Sequence, residues 1–319
     1  MKISAAMVSI SLLAPVPAIA QAFPTKPIRL IIPFAPGGGN DILGRQAGQG
    51  MSEVLRQQVI ADNRGGAGGS IGMELAASAA ADGYTLVVGH IGTLAVNPSM
   101  DTKLKYDAIK DFAPISLVAR LPALMVVNPA LPATSIVQFI ALAKAKPGTL
   151  SYGSGGAGGA NHLTTEYFNM LTGIQLIHVP YRSAGLAAID VIAGQIAMVM
   201  PAVNVVLPQV RAGKLRALGV STEQRLAVAP EIPTIAESGV PEFKVTQWYG
   251  ILAPANTPKP VINELNRAIV KAMSSPDLRE RMQTQGADAS VSTPDEFRAL
   301  IKSELTRWAP VIAAAGLRQ

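Results

Sequence analysis

The sequence predicts a two-lobed α/β protein, and three features predict it. Short apolar runs alternate with segments of helical periodicity along most of the chain, the pattern of strand–helix units in a parallel sheet. Two stretches, near residues 28–55 and 150–171, each place a strand, a glycine-rich loop and a helix in succession. From residue 260 onward the chain reads as helices alone, which must return to an earlier sheet to bury their apolar faces.

The first 22 residues precede this pattern. Lys2, an apolar stretch at residues 3–17 and two overlapping small-x-small sites ending at Ala20 and Ala22 have the layout of a secretory signal peptide. Cleavage is expected after Ala20 or Ala22. The apolar stretch, interrupted by Pro15 and Pro17, is too short to span about 30 Å of hydrocarbon.

Residues 28–34 form a nearly continuous apolar run, as expected of a strand buried on both faces. Pro36-Gly37-Gly38-Gly39-Asn40-Asp41 ends it and opens a helix through Leu55, with Asn40 or Asp41 as the expected cap. A strand near Val59-Ile60, a loop at 63–70, a helix at 71–80 and a strand at 85–89 follow. The second set contains strands at 124–127, 150–152, 176–179, 196–200 and 215–220. Helices at 135–146, 161–171, 186–193 and 203–212 separate them. An extended run at 243–252 precedes helices at 260–273, 277–285 and 294–315. Packing those helices on the first lobe requires two crossings, near 112–124 and 243–252. Lobe 1 is therefore expected to hold residues 23–122 and 246–319, and lobe 2 residues 123–245.

The 319 residues carry a formal charge of +6 and no cysteine. Without cysteine there are no disulfides, thiolate metal sites or cysteine nucleophiles, a composition compatible with an oxidising periplasm. The basic residues are dispersed with little aromatic interleaving, which argues against nucleic-acid binding. The histidines His90, His162 and His178 are scattered, with no H-E-x-x-H motif, so neither a metal site nor a cofactor is expected.

Three motifs bear on chemistry. The loop 36–41 has consecutive glycines at a helix start, where unpaired amides and the helix dipole favour an anion. Residues 153–158 read G-x-G-x-x-G, the dinucleotide fingerprint. The strand after it ends in Val179-Pro180-Tyr181-Arg182, without the acidic residue that would hold a ribose. What survives is a second anion loop, with Ser154 and the amides near Asn161. Residues 68–72 read G-x-S-x-G around Ser70, but Ser70 follows a long loop rather than a strand, which does not suit a nucleophile elbow. A periplasmic hydrolase using Ser70 is the alternative reading. Arg182 either pairs with a ligand carboxylate or is a solvated surface arginine. His178 reads as packed, His162 as a hydrogen-bond donor beside the loop, and Trp248-Tyr249 as either lining the cleft or packing the hinge, with packing preferred.

The ordered set of motifs resembles the Bug family, the solute-binding receptors of tripartite tricarboxylate transporters. The resemblance is carried by residues 32–41 (IPFAPGGGND), 63–69 (NRGGAGG), 82–86 (DGYTL), 97–99 (NPS), 111–115 (DFAPI), 178–181 (HVPY) and 212–218 (AGKLRAL). Pro233-Thr234 and residues 237–241 (ESGVP) continue it. It implies a periplasmic Venus-flytrap fold of the type II binding-protein kind and a small carboxylate held largely by backbone amides and waters. It also implies delivery to a two-subunit membrane permease by a receptor expected to be monomeric; service to a membrane sensor kinase is a further alternative. Carried over by position, lobe 1 contacts fall on Gly37, Gly38, Gly39, Asn40, Asp41, Gly69, Ser70, Gly92 and Thr93. Lobe 2 contacts fall on Ser154, Gly159, Ala160, Asn161, His162 and Tyr181, and Arg182 is added as a candidate from its place at the end of an apolar strand. The chain departs from its relatives at Pro201-Ala202, where a polar or acidic residue is usual, and at Ser183, where glycine is usual. The first departure argues against an amino-acid ligand and for a plainer or more apolar acid.

Overall fold

In the computed structural model the described residues are 23–101, 103–314 and 316–317. The signal-peptide reading of residues 1–22 lies outside them. The chain opens with β1 (Ile28–Ile32), α1 (Gly39–Leu55), β2 (Val59–Asn63), α2 (Ser70–Ala77) and β3 (Thr85–His90). A π-helical turn at Gly92–Val96 runs into the short α3 (Asn97–Met100). β4 (Phe112–Pro122) then continues almost unbroken into β5 (Leu124–Val127). Next come α4 (Ile136–Ala145), β6 (Ser151–Ser154), α5 (Ala160–Thr172), β7 (Ile177–Pro180) and α6 (Ala184–Ile192). β8 (Met198–Val199), α7 (Val203–Arg211) and β9 (Arg216–Val220) complete that region. The chain ends through β10 (Thr246–Pro254), α8 (Lys259–Met273), α9 (Pro276–Thr284), β11 (Asp288–Ala289) and α10 (Pro294–Ala314).

The strands form two sheets, ordered β11-β4-β10-β3-β1-β2 and β7-β6-β8-β5-β9. Alternation of strand and helix predicts parallel sheets, but both are mixed. β1 pairs in parallel with β2 and β3, whereas β10 runs antiparallel to β3 and β4. β6 pairs in parallel with β7 and β8, whereas β5 runs antiparallel to β8 and β9. The reason is the connection between lobes: β4–β5 carries the chain out, β10 carries it back, and neighbours travelling in opposite directions pair antiparallel.

Both sheets are covered on both faces, which explains the continuous apolar runs. Leu30, Ile32, Leu86 and Val88 pack with Leu43 and Met51 of α1 and Leu265 of α8. Ile31 and Val87, pointing the other way, pack with Met73 of α2 and Phe297 and Ile301 of α10. In the second sheet Val126 and Val199 meet Val191 of α6 and Val206 of α7. Met125 and Met198 meet Phe139 of α4 and Phe168 of α5. The tail helices thus close the first sheet, α8 against α1 and α10 against β4 and α3.

Ser221 ties the two crossings together. Its Oγ accepts the Ala123 amide at 2.8 Å and donates to the Val245 carbonyl at 2.5 Å. Its own backbone N–H donates to the Ala123 carbonyl, and its carbonyl accepts the Val245 N–H, each at 2.9 Å. Ala123 follows β4 and Val245 precedes β10, so a third segment clamps both connections. Ser221 is fully buried, so these bonds are shielded from competing water.

Candidate ligand-binding site

The lobes meet around a narrow cavity of about 30 Å³. Four helices begin at its wall: Gly38, Gly39 and Asn40 start α1, and Ala160 and Asn161 start α5. Ser183 and Ala184 start α6, and Pro201 and Ala202 precede α7. First-turn amides have no acceptor within their own helix and sit at the positive end of its dipole. Among the described residues, the wall contains no Lys, Arg, Asp or Glu.

Local sequence explains why the helices start there. Gly38 is the N-cap of α1, with extended backbone and no side-chain cap. Asn40 and Asp41 therefore sit inside the helix rather than capping it. The Asp41 carboxylate instead accepts the Gly37 amide at 3.1 Å and is held by Arg45 at 2.8 Å and Asn63 at 2.9 Å. Gly159 caps α5 without a side chain. Ser183 Oγ caps α6 by accepting the Leu186 amide at 3.4 Å, and donates to the Pro36 carbonyl of the other lobe at 3.3 Å. The serine that replaces a glycine is thus an interlobe tether.

Three buried side-chain atoms at the wall have no hydrogen-bond partner: Asn40 Oδ1, Asn161 Nδ2 and Gln247 Nε2. Each such orphan costs about 1–3 kcal/mol, which a ligand group can recover. Asn161 Oδ1 accepts the Gly155 amide at 3.2 Å, leaving its Nδ2 free. Tyr249 donates its hydroxyl to Gln247 Oε1 at 2.8 Å, leaving Gln247 Nε2 free. His90 also lines the cavity. Its Nδ1 accepts the Thr93 amide at 3.2 Å, so the ring proton sits on Nε2. Burial pushes the His90 pKa down to about 3, which keeps it a neutral donor.

Of the residues singled out in sequence, Gly38, Gly39, Asn40, Ala160 and Asn161 line this cavity. The others surround it. Gly37 and Asp41 brace the α1 start. Gly69 packs against Thr93 and Phe34, and Thr93 orients His90. A methyl group on Gly92 would lie 2.6 Å from the Ala160 nitrogen, so Gly92 serves lobe contact. Gly159 is the α5 cap, and Ser154 Oγ lies 2.6 Å from His178 Nε2. His162 Nδ1 accepts the Gly158 amide at 3.2 Å, which leaves the ring proton on Nε2. The Tyr181 hydroxyl donates to Asp190 at 2.6 Å. Arg182 is exposed, and its carbonyl accepts the Ala35 amide across the cleft at 3.1 Å.

Sequence reasoning missed Phe34, His90 and Ala184 as wall residues, missed Gln247, and preferred packing for Tyr249. A signal existed for the last two. An extended crossing strand alternates its side chains, and β10 turns Gln247 and Tyr249 to the cavity while Trp248 packs edge-on against Phe297. Hinge packing therefore describes Trp248 and not Tyr249. No observation supports hydrolysis at Ser70, whose Oγ accepts a bond from Asn97 at 3.3 Å. The Ser154–His178 pair is shut in: Ser154 is fully buried, and its hydroxyl is bonded to the Gly156 carbonyl and amide.

Residues 43–317 match the family described as the tripartite tricarboxylate transporter family receptor. The chain belongs to that family. Protein BugT of Bordetella pertussis is 37% identical over 303 residues, covering 95% of this chain and 93% of BugT. A solved Rhodopseudomonas palustris structure with adipate is 32% identical with a TM-score of 0.89, covering 92% of this chain and 98% of its own. MatC from Rhodopseudomonas palustris with bound malate is 30% identical with a TM-score of 0.88, covering 91% of this chain and 100% of its own. The tripartite tricarboxylate transporter receptors are solute-binding proteins, and the likeness extends through both lobes.

Proposed function

We propose that this receptor captures a small carboxylate in the periplasm and delivers it to a two-subunit membrane permease. The carrying observation is the convergence of four helix N-termini on one cavity whose described wall residues include no Lys, Arg, Asp or Glu. Such an arrangement attracts an anion without a cationic partner. The unpartnered Asn161 Nδ2 and Gln247 Nε2 add donors, and two similar structures hold adipate and malate. Capture proceeds by closure of the lobes on the ligand, which stabilises the closed state by contacts the open state lacks.

Calorimetry of the purified mature receptor against C4–C6 mono- and dicarboxylates, citrate and aromatic acids tests this. At least one acid is expected to bind with a micromolar or tighter Kd. Absence of binding across the whole panel overturns the reading.

A further inference from the structure

We propose that Gln247, oriented by Tyr249, selects a second carboxylate on the ligand, an inference that rests on the carboxylate reading above. The two side chains project from the same face of β10, on the strand that returns from lobe 2. They form the floor of the cavity beside the start of α1. A Cβ on Gly39 would come within 2.8 Å of the Tyr249 hydroxyl and 3.3 Å of the Ala202 Cβ, so Gly39, Tyr249 and Ala202 meet there.

The hydrogen bonding fixes what the floor offers. The Tyr249 proton is committed to Gln247 Oε1 at 2.8 Å. The amide therefore presents its nitrogen, with two N–H groups and no partner, on a residue only 2% exposed. The neutral His90, its ring centroid 5.7 Å from that of Tyr249, presents a further N–H. These donors match a group that only accepts, which is what a carboxylate is.

The same geometry rejects an ammonium group. It brings donors only, and the one unpartnered buried side-chain acceptor on the wall among the described residues is Asn40 Oδ1. It also brings positive charge to a cavity faced by four positive helix ends. Pro201-Ala202 stand where relatives usually carry a polar or acidic residue. Polarity is supplied instead by the Gln247 amide on β10 and the neutral His90 imidazole at the end of β3. The ligand class that follows is a small dicarboxylate without an amino group.

The test compares matched ligands on the intact receptor by calorimetry: succinate, glutarate and adipate against butyrate, valerate and hexanoate, with glutamate as the amino diacid. The wild type is expected to bind its preferred diacid at least tenfold more tightly than the monoacid of equal length, and glutamate at least tenfold more weakly than glutarate. Gln247→Leu is expected to bring the diacid-to-monoacid ratio close to one. Tyr249→Phe, which frees the amide to rotate, should reduce that ratio severalfold and serves if Gln247→Leu does not fold. Equal loss of diacid and monoacid in these variants indicates a merely structural role and overturns the proposal. So does a wild type that binds monoacids or glutamate as tightly as diacids, while leaving the carboxylate reading intact. Failure of every acid to bind overturns both.

Discussion

Asn97 and Gly158 meet across the cleft so closely that a methyl group on Gly158 would overlap the Asn97 Oδ1. Asn97 is itself braced within lobe 1 by donating to the Gly68 carbonyl at 3.1 Å and to Ser70 Oγ at 3.3 Å. Beside it, a Cβ on Gly68 would overlap the Ala157 carbonyl oxygen. These glycines allow the lobes to close, a role distinct from allowing a ligand near the backbone.

Gly158→Ala should therefore hold the cleft ajar. Its φ of +77° adds local strain in either state, but the overlap with Asn97 arises only on closure. We expect ligand affinity to fall at least tenfold, with small-angle scattering showing no contraction on adding ligand. Shortening the opposing side chain in Asn97→Ala/Gly158→Ala should recover part of the loss. Normal contraction in the single variant would contradict this account.

Ser221→Ala removes the hydroxyl that joins the crossings. The buried Ala123 N–H and Val245 C=O each lose a partner. The expected cost is about 1–3 kcal/mol of unfolding free energy, as for an orphaned buried donor. Urea denaturation measures it, and an unchanged midpoint would show that the clamp is dispensable.

Asn161→Asp is a nearly isosteric probe of the cavity charge. The carboxylate can still accept the Gly155 amide, but the unpartnered donor becomes an anion facing the ligand. Affinity for acids should drop at least a hundredfold while the far-ultraviolet dichroism stays as in the wild type. Retention of affinity would place the ligand away from the α5 start.

Stability should decline in mild acid. Burial holds His162 at about 4, and burial followed by the neighbouring His162 holds His178 at about 4. His90 lies lower still, at about 3. Above about pH 6.5, the ordinary imidazole value, these side chains are neutral in folded and unfolded chains alike. As the pH falls below that, the unfolded chain takes up protons that the folded one refuses, so the folded state loses ground. Their contribution is thus complete above about pH 6.5 and is lost progressively toward pH 4 for the His162–His178 pair. The urea midpoint at pH 4.5 should lie below that at pH 7.5, and His178→Gln should flatten the profile. A flat wild-type profile would refute the assignment.

The sequence made the elements legible because their signals are local. The apolar run at β1, the glycines before α1 and α5 and the turn at Asp82-Gly83 depend on residues close along the chain. It did not show that both sheets are mixed, because strand direction is set by where β4–β5 and β10 travel. Nor could it separate glycines with open space beside them, such as Gly37, from those that admit the other lobe, such as Gly92 and Gly158. That distinction depends on a neighbour far away in sequence. The floor was missed for the same reason: Gln247 lies 207 residues after Asn40 in the numbering, and only the fold brings them to one wall.

The helix starts around the cavity are unequally shared, one from lobe 1 and three from lobe 2. An anion is therefore handed an address on one half of the molecule before the other half arrives. On the proposed reading that grip is main-chain chemistry, so exchange of one neutral wall side chain for another leaves capture itself largely untouched. Only the outline and far end of the acceptable solute would change. A receptor built in this way can diversify its diet by exchanging a few residues such as Gln247, keeping the same hands for the acid group.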